Sequence, residues 1–186
     1  MNMRLRGLDD KVVIVTGAAA GIGRVTARRF AEEGCRVAAW DLDATAQGQI
    51  CLELREQENR GLFRKMNIAD AADVETAVSD VVARWGRIDV LVNNAGIVRD
   101  DQLVKWKDGN VEQVMGDEAF DAVISVNLKG TFHCAGCRSA HDPLRSWYHL
   151  ERFFDRRTVR KFRADELRGG KGGGDRVYSD VVARAG

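Results

Sequence analysis

Residues 11–24 read KVVIVTGAAAGIGR, and this stretch decides the fold. Lys11 to Thr16 is a short β-branched run of the kind that fills a buried strand, and Gly21 to Glu33 reads as a helix. The turn between them carries Gly17, Gly21 and Gly23. Glycines there let the backbone turn tightly and approach a pyrophosphate, whose charge meets the N–H groups and the positive dipole end of the helix. A bare glycine triplet is also compatible with a simple strand-to-helix turn.

Outward from this turn the same grammar repeats. Arg36 to Asp41 is a second strand and Ala44 to Asn59 a helix; a third strand ends near Asn67. Asp70 is placed to cap a helix whose stripe is Val74, Ala77, Val78, Val81, Val82 and Trp85, at three- and four-residue spacing. Asp89 to Asn93 supplies a fourth strand, and after a polar loop a further helix starts near Asp117. Strands alternating with helices imply an α/β fold with a Rossmann-type, doubly wound parallel sheet. Asp41 closes the second strand about 20 residues beyond the glycines, where a carboxylate can accept hydrogen bonds from an adenosine ribose and would repel a 2′-phosphate. With Asp43 and Thr45 following, an ordinary helix cap is the alternative.

The order Thr16-Gly17-x-x-x-Gly21-Ile22-Gly23, then Asn93-Asn94-Ala95-Gly96, then Ser125-Val126-Asn127-Leu128-Lys129-Gly130 resembles the classical short-chain dehydrogenases/reductases, and among them the bacterial 3-oxoacyl-[acyl-carrier-protein] reductases. The resemblance implies a cofactor seat made by Gly17, Gly21, Ile22, Gly23 and Asp41, with Asn67 and Ile68 flanking the adenine and Asn94, Ala95 and Gly96 lining the cofactor. It implies a catalytic Asn127 that holds a water in a proton relay, and a small-molecule or acyl-carrier-bound carbonyl substrate. Asp41, with Ala20 where NADP-preferring members often carry a basic residue, points to NAD rather than NADP. Homo-oligomers are typical of the family, but the strands that build the usual interface have no counterpart here. On the residues alone, Asn127 shares an expected inward stripe with Phe120, Val123, Ile124, Leu128 and Phe132. There an unpaired amide would cost about 1–3 kcal/mol, so it needs partners, and a structural amide bound to neighbouring backbone is equally compatible.

After Cys134 the grammar stops. We divide the chain into a dinucleotide-binding domain, 1–134, and a tail, 135–186, so that the sheet is expected to be truncated after about four strands and followed by irregular or disordered sequence. Hydride transfer to a carbonyl needs a proton donor, in the family a tyrosine with a lysine four residues on, and a polarising serine. No Tyr-x-x-x-Lys is present: Arg152 stands four positions after Tyr148, and Val182 after Tyr178. Reading the codons one nucleotide later alters this. From Ala135 permissible codons give Gln-Ala-Val-Ala-Pro-His-Met-Ile-Arg, and Glu151 to Phe154 permit Asn-Ala-Ser-Ser. Val159 to Lys171 permit Tyr-Gly-Asn-Phe-Gly-Gln-Thr-Asn-Tyr-Val-Ala-Ala-Lys. The missing tyrosine then arises from the Leu167 codon, its lysine from that of Lys171, and a serine from that of Phe154, at the family's spacing. The tail is therefore read as the family's own sequence in a shifted frame, leaving a non-catalytic nucleotide-binding fragment as the literal chain.

Other sites in the tail are weaker. His133, Cys134, Cys137, His141 and His149 could be taken for a zinc-binding module, but a lone C-x2-C lacks a second pair. Gly169 to Gly174 around Lys171 lacks the Ser or Thr of a phosphate loop. Acidic residues dilute the Arg-rich run, and the whole chain of 186 residues has a formal net charge of +1. That balance argues against nucleic acid or an anionic membrane as partner. No run reaches membrane-spanning length and Met1 to Asp10 lacks a signal-peptide pattern, which sets the expected location as cytoplasmic. The four cysteines are too few and scattered for a disulfide framework.

Overall fold

The computed structural model describes residues 7–99, 103–136, 148–151 and 161–163. Four parallel strands follow the expected pattern: β1 (Val12–Thr16), β2 (Arg36–Asp41), β3 (Gly61–Lys65) and β4 (Val90–Asn93). They lie in the order β3-β2-β1-β4. Val13 pairs with Val37 on one side and Val90 on the other, so β1 is central, and every residue of β1 and β4 is buried. Strands covered on both faces need apolar side chains in both directions, which is why KVVIVT and DVLVN are continuous rather than alternating runs.

The two faces carry separate cores. Val13, Val15, Val37 and Ala39 pack with Ala27 and Phe30 of α1 (Gly21–Glu32) and with Ile50 of α2 (Gln47–Glu53). Val12, Ile14, Ala38 and Leu91 pack with Val74, Ala77, Val78, Val81 and Trp85 of α3 (Ala71–Trp85). The Asp70 carboxylate caps α3 by accepting from the N–H groups of Ala72 and Asp73, and Gly86 ends it in the left-handed region at φ 73°.

The helix expected over Ala44–Asn59 is shorter. It ends at Glu53, because Arg55 and Asn59 take left-handed φ values of 56° on either side of a 3-10 turn, Glu56–Glu58. The polar loop holds a hairpin, β5 (Val104–Lys107) and β6 (Asn110–Val114), whose residues are all exposed. Its turn is Asp108-Gly109, both at positive φ (49° and 83°), the pair that a two-residue type I′ connection demands.

The helix from Asp117 is not uniform. It runs as α4 (Asp117–Val123), a π-helical turn (Ile124–Gly130) and α5 (Thr131–Gly136). The inward stripe expected of it is corrected: Phe120, Leu128 and Phe132 are exposed at 46%, 62% and 71%. The face against the sheet is instead Val126, Gly130 and Cys134. Gly130 explains the choice, since a Cβ there would lie 2.6 Å from Ile68 Cδ1; only the small-residue face approaches closely enough to pack.

Past the four strands, two short segments extend the sheet. β7 (Tyr148–Glu151) pairs in parallel with β4, and β8 (Lys161–Arg163) antiparallel with β7. The remainder of the tail, with Cys137, His141 and Gly169 to Gly174, lies outside the described residues.

Candidate functional site

In an open doubly wound sheet, ligands lie beyond the carboxyl ends of the strands where the strand order reverses. Here that point is the crevice between β1 and β4. Four of the expected site residues meet there. The Asn94 side chain donates through Nδ2 to the carbonyls of Thr16 (3.0 Å) and Gly17 (3.1 Å), fastening the start of the glycine turn to the loop after β4. A Cβ on Gly17 would lie 2.8 Å from Ala95 Cα, and one on Gly23 would lie 1.9 Å from Gly17 O and 2.5 Å from Asn94 Nδ2. Gly17 and Gly21 have φ values of 66° and 52°. The glycines are thus required for two different reasons: Gly23 by space, Gly21 by backbone angle, and Gly17 by both.

Beside them sits Thr16, a residue whose part in the site the sequence motif did not reveal. Its fully buried hydroxyl donates to Val92 O (3.3 Å) and accepts from the N–H groups of Asn94 (3.1 Å) and Ala95 (3.0 Å). One donor and two lone pairs are all used. Its signal was its position, directly before Gly17. Ile22 follows in the first turn of α1 and is 57% exposed; no side chain caps that helix N-terminus. An uncapped N-terminus at a glycine turn can receive an anion.

The Asp41 carboxylate is fixed from two sides: Oδ2 accepts from Ala19 N (2.8 Å) and Oδ1 from Asp43 N (2.9 Å). Each oxygen retains a further lone pair. Half-buried beside the glycine turn, Asp41 is tied to it as well as to its own following turn. Asn67 is exposed, and its Oδ1 accepts from Ala69 N (3.0 Å), turning the chain toward α3. Ile68 is buried beneath the Asn127 helix. Gly96 is exposed, next to Ile97.

Asn127 lies within the π-helical turn. Its Oδ1 accepts from Ile97 N (2.8 Å) and its Nδ2 donates to Ile97 O (3.0 Å), so the amide has the backbone partners that its position required. One lone pair and one N–H remain for another group. Cys134 is buried in the core, and His133 Nδ1 lies within hydrogen-bond distance of Ile68 O. Among the described residues no group of three His, Cys, Asp or Glu side chains could hold a metal ion. Nor is any described helix long and apolar enough to cross a membrane.

The strand order and the glycine turn at its reversal point define a doubly wound α/β domain of the dinucleotide-binding type. The short chain dehydrogenase family model matches residues 11–141, and the chain belongs to that family. It is 42% identical over 126 residues to the 3-oxoacyl-[acyl-carrier-protein] reductase FabG of Thermotoga maritima, covering 68% of this chain and 48% of that one. It is 40% identical to D-threitol dehydrogenase of Mycolicibacterium smegmatis, covering 67% and 45%. Among solved structures it resembles a 3-ketoacyl-(acyl-carrier-protein) reductase from Brucella melitensis complexed with NADH. That match has a TM-score of 0.62 and 31% identity, and covers 74% of this chain and 52% of the other. The chain spans about half the length of the curated relatives it matches.

Proposed function

We propose that the gene specifies an oxidoreductase moving a hydride between NAD(H) and a carbonyl or alcohol carbon, with an acyl-carrier-bound 3-oxoacyl group as substrate. The 186-residue chain itself is its nucleotide-binding part and turns nothing over. The observation that carries the cofactor half is the seat between β1 and β4, where Asn94 and Ala95 crowd the glycine turn so that neither Gly17 nor Gly23 has room for a Cβ. Pyrophosphate would meet the glycine turn and the N-terminus of α1, and the ribose hydroxyls would meet the remaining lone pairs of Asp41. Asn67 and Ile68 would flank the adenine. When bound, the cofactor supplies or accepts the hydride. NAD is favoured over NADP because the Asp41 carboxylate opposes a second phosphate on the ribose. A cytoplasmic setting agrees with the free thiols of Cys35 and Cys51.

The substrate half rests on the likeness to the Thermotoga and Brucella reductases, which are named for this substrate. Asn127 would hold a water of the proton relay through its remaining amide valences. The proton donor and its lysine would come from the shifted frame. Two measurements test the reading. Binding titrations of the 186-residue protein should show NADH held at least about tenfold more tightly than NADPH; the reverse preference would remove the role given to Asp41. Assay with a 3-oxoacyl thioester should show no turnover for this chain and turnover once the frame is restored near codon 135. Activity in the unrestored chain, or codons that do not spell Tyr-x-x-x-Lys, would overturn the frame reading.

A further inference from the structure

Ile68 is held at two points by the helix that carries Asn127. A Cβ at Gly130 would lie 2.6 Å from Ile68 Cδ1 and 2.7 Å from Cγ1, so the isoleucine side chain rests directly on the glycine backbone. At the other end of the same residue, His133 Nδ1 lies 3.1 Å from Ile68 O. A carbonyl only accepts, so Nδ1 carries the hydrogen in this contact. The same helix grips Ile97 through Asn127, and Thr131 Oγ1 donates to Asn127 O at 3.1 Å. One short helical body therefore connects the loop after β3 with the loop after β4.

We infer that Gly130 and His133 are positioning residues for the cofactor. Gly130 sets the depth of the Ile68 side chain and His133 fixes its carbonyl, so together they place the wall against which an adenine would lie. They also make that wall and Asn127 parts of one rigid piece. The inference rests on the reading that Asn67 and Ile68 flank the adenine of NAD. A larger residue at 130 pushes Ile68 into the adenine's space, and loss of the donor at 133 releases its backbone.

The test uses the 186-residue protein, titrated with NADH and with ADP, which carries the adenine half alone. In Gly130→Val both affinities should fall by the same factor, about tenfold, and in His133→Leu by about threefold. His133→Asn places an amide N–H near the Nδ1 position and should return affinity to within about twofold of the parent. A purely structural role would lower the melting temperature and leave the affinity of the folded fraction unchanged, with no rescue by asparagine; that result overturns the inference. If Gly130→Val does not fold, the leucine and asparagine variants decide it. Failure of the parent protein to bind either ligand instead refutes the cofactor reading, and this inference falls with it.

Discussion

Asn127 turns its amide onto the backbone of Ile97 and satisfies both the N–H and the C=O of that residue. A side chain that replaces a strand partner in this way cannot be exchanged for a near-isostere. Asn127→Ala should destabilise the protein by about 1–3 kcal/mol, because both Ile97 groups lose a partner. Asn127→Asp should be no better, since a carboxylate can accept from Ile97 N but repels Ile97 O. Thermal melts of the two variants at neutral pH check this, and an aspartate variant melting like the parent would contradict it.

The glycine turn separates two kinds of cost. Gly21→Ala meets open space but must adopt φ 52°, which should cost about 1 kcal/mol. Gly23→Ala drives a methyl into Gly17 O and the Asn94 amide, and should abolish NADH binding even where the protein still folds. Comparing binding with melting temperature for the pair tells strain from exclusion.

Thr16 offers a sharper exchange. Thr16→Val keeps the shape but leaves Val92 O and the N–H groups of Asn94 and Ala95 without the hydroxyl, a loss of about 1–3 kcal/mol or more in a fully buried position. Thr16→Ser should recover most of it. Chemical denaturation midpoints of the three proteins give the answer.

Acid sensitivity should trace partly to Asp89. Burial raises its carboxyl pKa, but hydrogen bonds from Arg87, the Val12 N–H and Lys11 outweigh this and hold it below its ordinary 3.8. The folded state binds its proton less readily than the unfolded chain. The stabilisation is therefore fully present well above pH 3.8 and is lost as the pH falls below that value. Asp89→Asn should melt lower at pH 7 and lose less on acidification than the parent, as a melting series between pH 7 and acid would show.

The hairpin should behave in the opposite way to the site. All residues of β5 and β6 are exposed, so Trp106→Ala should change overall stability by no more than about 0.5 kcal/mol. A large drop in melting temperature would mean that Trp106 is covered in solution.

What could be read from the residues depended on how many physical constraints coincided. At α3 an apolar stripe and an aspartate cap agreed, and the helix lies where they put it. The glycine turn was legible because backbone approach tolerates few residue types, whereas Asn94 came only from the family resemblance. For the Asn127 helix, hydrophobicity favoured the face with Phe120, Leu128 and Phe132, yet close packing selected the one with Val126, Gly130 and Cys134. Transfer energy counts apolar area, whereas distance of approach is set by side-chain size. The α2 helix ends before its pattern predicts because Arg55, a residue type that seldom takes a left-handed backbone, does so here, whereas Asn59 is a type that tolerates it. The hairpin has its own signal, Asp108-Gly109 between short runs of strand formers, within a stretch whose polar composition predicts a loop. Ile97, Gly130 and His133 went unrecognised in the site because their partners are distant in sequence.

The pairing of Tyr148–Glu151 with β4 has one more implication. Hydrogen bonds between strands join main-chain atoms and read no side chains, so the open flank of Val90–Asn93 is a socket indifferent to genetic frame. On the proposed reading of the tail, residues translated from a shifted frame would still be able to lay a strand there, because the peptide bond is the same in every frame. Slippage would then remove the chemistry of the side chains while the edge of the sheet stayed filled.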